Sequence, residues 1–377
     1  MHPVGEAPSA AGGASDLAVR GVHLERTREN ALAISRLHSH AAARIGLTGL
    51  LDDLKWPLRR APVVPRLLGR AVDRAWTWTP YDRADASWWP QGIATAHDAP
   101  DRSLTEGRRV LATTWYAKEV DGIKRGSRIT FVDLDHRRYR HVLLVVPTLA
   151  PDGSLRLEPL HVHAGGIVWS GSWLHVAATA RGFVSAHVDD LFRVGGSDGG
   201  PADFGLTPAG LSSYGHRWVL PVRMTHRAVT DEGHQQLRYS FLSLDAASDP
   251  PALVAGEYAL NTDSSTRIAR YALEPQSWEL AREQDGVSRP VLLDDGGVIR
   301  MQGAAQARGR TYLSTSNGPW LPGTVHVGHP GDFAARRWAM PMGPEDLTYT
   351  PATDRLWTVT EHPRRRWIVS MRRSWFD

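Results

Sequence analysis

The sequence predicts an all-β fold made of repeated sheets, on two observations. First, a short phrase occurs four times, opened in turn by Gln91, His163, Gln302 and Glu345. Each copy leads through a turn into a β-rich run, and these runs read VLATTWYA, WLHVAATARG, RTYLSTSNG and RLWTVTEHP. Second, beyond about residue 80 the chain has many short strand candidates separated by Gly and Pro, and no long helical pattern. Such a repeat predicts a β-propeller, in which each unit is one sheet around a common axis.

The spacing of the repeats predicts a five-bladed β-propeller. The blade candidates span residues 88–146, 160–194, 212–260, 300–340 and 343–375. The middle candidate lacks the repeated phrase, and Tyr214-Gly215-His216 is its expected counterpart. Six blades are the alternative if 259–274 and 291–300 hold further strands. We expect a strand from the 76–80 region to complete the last blade, because closing the ring removes the open sheet edges.

The first 75 residues have a different pattern from the rest of the chain. Residues 1–24, which begin with a stretch rich in Ala, Gly and Pro, are expected to form a disordered tail. Residues 25–75 are expected to form an N-terminal helical extension packed on the propeller. Apolar residues there recur at helical spacing, at Ala31, Ile34, Leu37, Ala41 and Ile45. The propeller itself is then expected to span 76–377.

Composition excludes several classes of site. The 377-residue chain has no cysteine, which excludes disulfides, thiolate catalysis and cysteine-ligated zinc. No apolar run reaches the ~20 residues of a membrane-spanning helix, and the basic clusters at 364–366 and 372–373 are too short for a nucleic-acid-binding face. We therefore expect a small-molecule ligand, no nucleic acid and no membrane span. The sequence leaves the oligomeric state open. The start lacks an apolar signal segment, which favours a cytoplasmic protein; a processed, secreted chain is the alternative.

The residues that open the four phrases are the catalytic candidates. Equivalent positions of a propeller are related by rotation about its axis, so Gln91, His163, Gln302 and Glu345 should converge there. His163 and Glu345 supply a base and an acid whose pKa values a half-buried site can move toward neutrality. Gln91 and Gln302 supply neutral donors for a carbonyl or an oxyanion. The structural alternative is that such polar residues satisfy loop amides, and one of Glu345 and Asp346 is expected to hold a turn.

The ends of the second strands should lie on the same face as these phrase heads. The head-to-end spacing is 17 residues from His163 to Ala180, 15 from Gln302 to Asn317 and 16 from Glu345 to Glu361. The substrate-binding candidates are therefore Trp115, Tyr116, Arg181, Asn317, Glu361 and His362, with Tyr214 and His216 from the irregular repeat. Trp115 and Tyr116 would form a flat apolar wall, and Arg181 would bind a carboxylate or phosphate.

These residues favour an enzyme that acts by acid–base chemistry on a small polar or polyketide-like metabolite, as a lyase, cyclase, isomerase or hydrolase. The sequence has no phosphate-binding loop and no HExxH motif. We expect no cofactor; a metal ion held at the axis by His163, Glu345 and His216 is the weaker alternative. The functional alternatives are a non-catalytic glycan- or ligand-binding propeller and a five-bladed glycosidase, which needs two placed carboxylates. The unlike phrase heads favour catalysis, because a lectin tends to repeat one pocket in every blade.

Five segments, WWPQGIATA, YRHVLLV, HAGGI, MQGAA and GPEDLTY, resemble a group of bacterial β-propeller proteins that are five-bladed, often secreted and largely without assigned activities. The resemblance covers roughly residues 76–375. It implies the propeller but no activity, because propellers host hydrolases, lyases, isomerases and binding modules alike. The chain differs from exported members of the group in having no cysteine and no visible signal segment, so the resemblance does not decide the compartment.

Overall fold

The sheets of the chain stand around a common axis as a β-propeller. The computed structural model describes residues 19–40, 42–96, 102–194, 200, 202–207 and 210–377. In these residues the chain forms five sheets of four or more strands and one two-stranded hairpin. The first strand of each large sheet lies beside the first strands of two other sheets, which closes the ring. The fold class predicted from the repeats, an all-β propeller, is confirmed at this level.

The five large sheets are numbered in the order of their first strands. Sheet 1 contains Trp88–Thr95, Val110–Ala117, Ser127–Asp133 and Arg138–Leu149, and it is extended by Trp218–Pro221, Phe192–Val194, Ala42–Arg44, Leu155–Pro159 and Trp56–Pro57. Sheet 2 contains Ile167–Ser170, Trp173–Ala177, Gly182–His187, Met224–Thr230 and Val22–Arg26. Sheet 3 contains Phe241–Asp245, Ala252–Gly256, Ile268–Ala272 and Leu292–Asp294. Sheet 4 contains Met301–Ala307, Arg310–Thr315, Pro322–His329 and Asp332–Met342. Sheet 5 contains Pro344–Thr350, Arg355–Thr360, Ile368–Arg372, Val72–Thr77 and Arg59–Arg60.

The helices are short and lie outside the ring of first strands. The α-helices whose full bounds lie in the described residues are Ala31–His40, Gly46–Asp52, Pro65–Leu68 and Pro80–Ala84, and single 3₁₀ turns occur there at Arg102–Thr105, Val188–Asp190, Pro351–Thr353 and Arg373–Phe376. The hairpin pairs Phe204–Thr207 with Gly210–Ser213. The last α-helix shows how the sequence starts such elements: the Thr79 hydroxyl accepts from Asp82 N–H at 3.3 Å, and Pro80 takes the first helical position. No helix in the described part of the chain has the length and apolar character needed to cross a membrane.

Sheet 3 corrects the predicted middle blade. The sequence places that blade at 212–260, but Met224–Thr230 is the fourth strand of sheet 2 and the next sheet begins at Phe241. Ile268–Ala272 and Leu292–Asp294, the strands that would have supplied a sixth blade, complete sheet 3 instead. Counted as simple blades of four or five strands, the described residues form four, sheets 2 to 5. A fifth blade, which the sequence predicts, is absent from that count because sheet 1 has nine strands and is not a simple blade.

The N-terminal segment is only partly the helical extension that the sequence predicts, because its helices alternate with strands. Besides its helices, it contributes strands to the propeller sheets: Val22–Arg26 pairs with Met224–Thr230, and Val72–Thr77 pairs with Ile368–Arg372. Residues 1–18 of the expected tail lie outside the described residues, whereas Val22–Arg26 is an edge strand of sheet 2. The strand that joins the last sheet is therefore 72–77, a few residues earlier than the expected 76–80.

A buried ion pair fastens this joining strand to sheet 5. Arg355 Nη1 donates to both carboxylate oxygens of Asp73, each at 2.6 Å, and to the Ser370 hydroxyl at 3.2 Å. Arg372 also approaches Asp73, at 3.4 Å, but its side chain is 70% exposed. Burial raises the pKa of Asp73, but the hydrogen bonds and charge of Arg355 outweigh burial, so that this pKa lies below its ordinary value.

We expect Arg355→Ala to reduce the free energy of unfolding by about 2 kcal/mol, because it leaves the half-buried Asp73 carboxylate without its main partner. The matched control, Arg372→Ala, removes an exposed partner of the same carboxylate and should change stability by less than about 0.5 kcal/mol. Urea unfolding at neutral pH measures both. Equal losses in the two variants would contradict the view that the buried pair holds the joining strand.

Candidate active site

The first strands converge on a carboxyl group for which the sequence predicted only a turn role. Asp346 is fully buried, and its Oδ2 accepts from the backbone N–H of Ile93 at 3.2 Å and of Ile167 at 3.3 Å. Its Oδ1 accepts from Leu347 N–H at 2.9 Å. Burial raises the pKa of Asp346, and the N–H donors partly oppose that effect. One side chain therefore satisfies backbone donors of sheets 1, 2 and 5 at the axis.

The glycines of the repeated phrases allow the strands to approach each other at this point. A Cβ on Gly92 would lie 2.8 Å from the backbone nitrogen of Ile167, and a Cβ on Gly303 would lie 2.3 Å from that of Leu347. Any larger residue would push the first strands apart. β-Bulges interrupt the first strands of sheets 1, 4 and 5 at the phrase heads. Bulges of this kind re-aim side chains next to functional sites.

Two carboxyl groups of sheet 5, Glu345 and Glu361, are electrostatically coupled beside this axis. Glu345 is 3% exposed; burial raises its pKa well above the ordinary value, and the charges of Glu361 and Asp346 raise it further. The Glu361 side chain is more accessible, at 22% exposed. Burial also raises the pKa of Glu361, while the hydrogen bond from Gln91 and the charge of Lys118 oppose the rise. The pair therefore holds a proton more tightly than ordinary carboxyl groups do.

Gln91 positions Glu361 rather than offering a free donor. Its Nε2 donates to the Pro90 carbonyl at 2.8 Å and to Glu361 Oε2 at 3.4 Å. A primary amide has two N–H donors, and both are engaged here. The predicted use of Gln91 as an oxyanion donor would compete with these two bonds. Gln302 is half-buried at the corresponding bulge of sheet 4, next to Gly303.

Tyr116 connects the carboxyl pair with His163. The Tyr116 ring lies against the His163 imidazole, with 4.6 Å between the ring centroids. Burial raises the pKa of Tyr116 to about 12, and the charges of Glu361 and Glu345 contribute to that shift. Loss of hydration lowers the pKa of His163 below its usual 6.5, so its imidazole is neutral at neutral pH. Of the four predicted catalytic residues, His163 therefore contacts Tyr116, and Glu345 acts on Tyr116 through its charge.

A cleft of about 610 Å³ opens beside Tyr116 and His163. It lies between the ends of sheets 1 and 2, and its charged or titratable lining residues besides these two are Lys118, Glu119, Lys124, His161 and Arg181. Arg181 Nη2 donates to the His161 carbonyl at 2.6 Å. Tyr116 and Arg181 are therefore the predicted substrate-binding residues that the structure brings to one cleft with His163.

Trp115 does not form a wall of this cleft. It is fully buried, and its ring packs edge-on against Trp78 at 5.0 Å and against His141 at 5.6 Å. The guanidinium groups of Arg128 and Arg366 lie 4.7 and 5.5 Å from its ring centroid. Successive residues of a strand point to opposite faces, so Trp115 and Tyr116 could not both face the ligand. Trp115 belongs to the core.

The buried surroundings of Trp115 form a structural polar network. His141 lies between Thr130 Oγ1, at 2.6 Å from its Nδ1, and Asp82 Oδ1, at 3.1 Å from its Nε2. Tyr139 adds a hydrogen bond to Asp82 Oδ2 at 2.5 Å. Burial and the charge of Arg128 lower the pKa of His141 in spite of Asp82. This buried arrangement links the third and fourth strands of sheet 1 to the Pro80–Ala84 helix.

The other predicted substrate-binding residues make local contacts. Asn317 Nδ2 donates to the Pro322 carbonyl at 2.7 Å, which fixes a turn of sheet 4. His362 lies 3.6 Å from Glu361 Oε1. Tyr214 stacks on Phe204 at 5.1 Å, and His216 packs edge-on against Trp88 at 5.6 Å. Burial lowers the pKa of His216 to about 3.

Tyr214 and His216 are not the head of the middle blade, which corrects the sequence analysis. They follow the small hairpin, whereas Ser240-Phe241-Leu242 occupies the equivalent place at the axis. A Cβ on Gly166 would lie 2.1 Å from Leu242 N, which shows how closely the two first strands approach. The head of sheet 3 has no charged or amide side chain, so no residue pattern marks it.

The structure adds Lys118, which is absent from the predicted site residues, and gives Asp346 more than the turn role expected of it. Lys118 follows Tyr116 at the end of a second strand, the same place in its sheet that Glu361 has in sheet 5. Lys118 is therefore recognisable in the sequence by the same position after a second strand. Among the residues described, no group of three or more His, Asp or Glu side chains is arranged to hold a metal ion. The structure thus adds no support to a metal site made by His163, Glu345 and His216.

Comparison with known proteins finds no matching protein-family model and no matching curated protein. Among solved structures, a β-xylosidase is 11% identical, with a TM-score of 0.38, covering 76% of this chain and 92% of the other. A GH43_1 enzyme from Xanthomonas citri is 12% identical, with a TM-score of 0.35, covering 77% and 91%. A gluconolactonase from Xanthomonas campestris is 13% identical, with a TM-score of 0.33, covering 88% and 89%. Likenesses this distant carry no argument about the activity of this chain.

Asp346→Ala should reduce the free energy of unfolding by about 3 kcal/mol or more, because it leaves buried N–H groups at the axis without an acceptor. Asp346→Asn keeps one carbonyl oxygen and should lose roughly half as much. Chemical denaturation of both variants measures this.

The matched control is Glu345→Gln, one residue earlier in the same strand. Its side chain accepts none of the three backbone bonds that Asp346 accepts. A loss at Glu345→Gln as large as that at Asp346→Ala would show that Asp346 has no special role in joining the sheets.

Proposed function

We propose that the protein is an enzyme that acts by acid–base chemistry on a small polar metabolite bound at the cleft beside the propeller axis. The observation that supports this most directly is that Tyr116 lies against neutral His163, while the charges of Glu361 and Glu345 raise the pKa of Tyr116. A neutral imidazole and a protonated carboxyl are the base and acid forms that such chemistry needs near neutral pH.

The proposed roles follow from the surroundings of each group. His163 is the base, because loss of hydration keeps it unprotonated. The Glu345–Glu361 pair supplies the acid, with Glu361 the more accessible member and Glu345 the member whose pKa burial raises most clearly. His163 takes a proton from the substrate over the Tyr116 ring, and the carboxyl pair returns one to the departing or rearranging group. Gln91 positions Glu361, and Gln302 is a proposed donor to a substrate oxygen.

A glycosidase is the second candidate, supported by one observation. Glu345 and Glu361 give two carboxyl groups with unlike accessibility, and glycoside hydrolysis uses a pair in which one member is kept protonated. A non-catalytic ligand-binding propeller is the remaining alternative. Substrate panels for the purified protein should therefore include nitrophenyl glycosides along with small hydroxy, keto and polyketide-like acids.

We also propose that the ring has five blades, with sheet 1 as the enlarged first one. In support, the first strand of sheet 1, Trp88–Thr95, lies between the first strands of sheets 2 and 5. Its first four strands are consecutive and antiparallel, as in a simple blade. The further strands of sheet 1, among them Trp218–Pro221, then extend the outer edge of this blade.

His163→Ala should reduce turnover of the substrate found in such a panel by about a hundredfold or more, the usual effect of losing a general base. Wild-type activity should follow a bell-shaped pH profile. Activity rises as His163 loses its proton, at a pH below 6.5, and falls as the carboxyl pair loses its proton, above the ordinary value of 4.5. The acid limb should be absent from the residual activity of His163→Ala.

The control is His136→Ala, which removes an imidazole that is 65% exposed and pairs with Asp133 away from the cleft. It should retain wild-type activity and the same pH profile. The catalytic role of His163 is ruled out if His163→Ala lowers the melting temperature while its folded fraction stays fully active. Stoichiometric binding of a panel compound without turnover would instead favour the non-catalytic alternative.

A further inference from the structure

We propose that the cleft between sheets 1 and 2 binds an anionic group, a carboxylate or a phosphate, through Lys118, Lys124 and Arg181. The view that this anionic group is part of the substrate rests on the proposed function, whereas the binding of an anion in the cleft does not. The nearby wall of Tyr116 and His163 would hold the neutral part of the same molecule. The protein would thus act on a small organic acid or phosphate ester.

The charge of the cleft lining is the first argument. Three of its residues, Lys118, Lys124 and Arg181, are cationic, and Glu119 is its one acidic residue. In the described part of the chain, none of these three cations forms an ion pair with a carboxylate. Elsewhere in this structure many arginines pair with acids, as Arg355 does with Asp73. Unpaired cations that converge on one cleft attract anions and raise their local concentration.

The geometry of Arg181 is the second argument. Its Nη2 donates to the His161 carbonyl at 2.6 Å, which anchors the side chain at the cleft. That bond uses one of five N–H donors of the guanidinium. The rest of the planar group can bind two oxygens of a carboxylate or phosphate in parallel. An anchored arginine also loses less conformational entropy on binding than a free one.

Lys118 connects the cleft with the carboxyl pair. Its Nζ lies 3.4 Å from the ring centroid of Trp89, a cation–π contact that fixes its position. Its charge acts on Glu361 and opposes the rise that burial causes in the pKa of that carboxyl. An anion bound at Lys118 would partly neutralise this effect, and so raise the tendency of Glu361 to keep its proton. Binding of an acidic substrate would in this way favour the protonated acid.

The size of the cleft fits such a ligand. At about 610 Å³ it falls within the range of roughly 300–1,000 Å³ typical of small-molecule sites. The same lining contains the three cations and the aromatic and imidazole rings of Tyr116, His161 and His163. A charged group and an apolar or hydroxylated body can therefore be accommodated together.

The test is binding rather than turnover, so that its failure can be told apart from failure of the catalytic proposal. Citrate and pyrophosphate serve as carboxylate and phosphate probes, and trimethyl citrate is the uncharged analogue. Calorimetry at low salt should show that at least one anionic probe binds the wild-type protein and that trimethyl citrate does not. Preference for citrate or for pyrophosphate then distinguishes the carboxylate from the phosphate. The double variant Lys124→Gln/Arg181→Gln should bind that probe about tenfold or more weakly, as expected for loss of two charge-assisted contacts.

The matched control is Lys55→Gln/Arg337→Gln, which removes the same charge from exposed positions outside the cleft. It should bind the probe like the wild type. Circular dichroism verifies that all variants are folded. If the double variant is not folded, the single variant Lys124→Gln replaces it in the binding measurement. The proposal is overturned if neither anion binds, or if the control pair weakens binding as much as the cleft pair.

Discussion

The carboxyl group of Asp346 is the interaction on which the rest of this structure depends. It accepts backbone N–H groups from Ile93, Ile167 and Leu347, and so joins the first strands of three sheets at the axis. Buried N–H groups need acceptors, and the phrase glycines bring them close enough to share one. The positions of Gln91, Glu345 and the strand that follows His163 are consequences of this shared acceptor.

The same convergence creates the unusual electrostatics of the candidate site. With Asp346 in place, Glu345 is buried directly beside a second carboxyl group and near Glu361, where burial and like charges raise its pKa. Tyr116 and His163 come from the neighbouring sheets and lose hydration at the same mouth. A stable fold would not require an ionisable residue at position 345. Its presence at such a costly position supports a functional reason.

The sequence predicted the convergence but not all of its participants. The repeated phrases located His163 and Glu345 because glycine and polar heads recur where first strands meet. The start of sheet 3 is not predictable from the repeated phrase, because its head, Ser240-Phe241-Leu242, has neither a charged or amide side chain nor a glycine. Pairing of the N-terminal strands with partners roughly 200 to 300 residues away, as in Val22–Arg26 with Met224–Thr230, depends on tertiary contacts that local patterns do not encode. Strand alternation separates Trp115, which lies in the core, from Tyr116, which lines the cleft.

The most direct measurement of the central claim is the free energy of unfolding of the wild type and of Glu345→Gln at about pH 5 and about pH 8. The folded-state pKa of Glu345 is raised above its ordinary 4.5. The contribution of protonated Glu345 to wild-type stability is therefore fully present below that value and is lost as pH rises through the folded-state pKa. The glutamine variant has no such loss. Its stability relative to wild type should therefore increase from the lower to the higher pH. A difference that is the same at both pH values would contradict the account, because Glu345 would then ionise without cost at the axis.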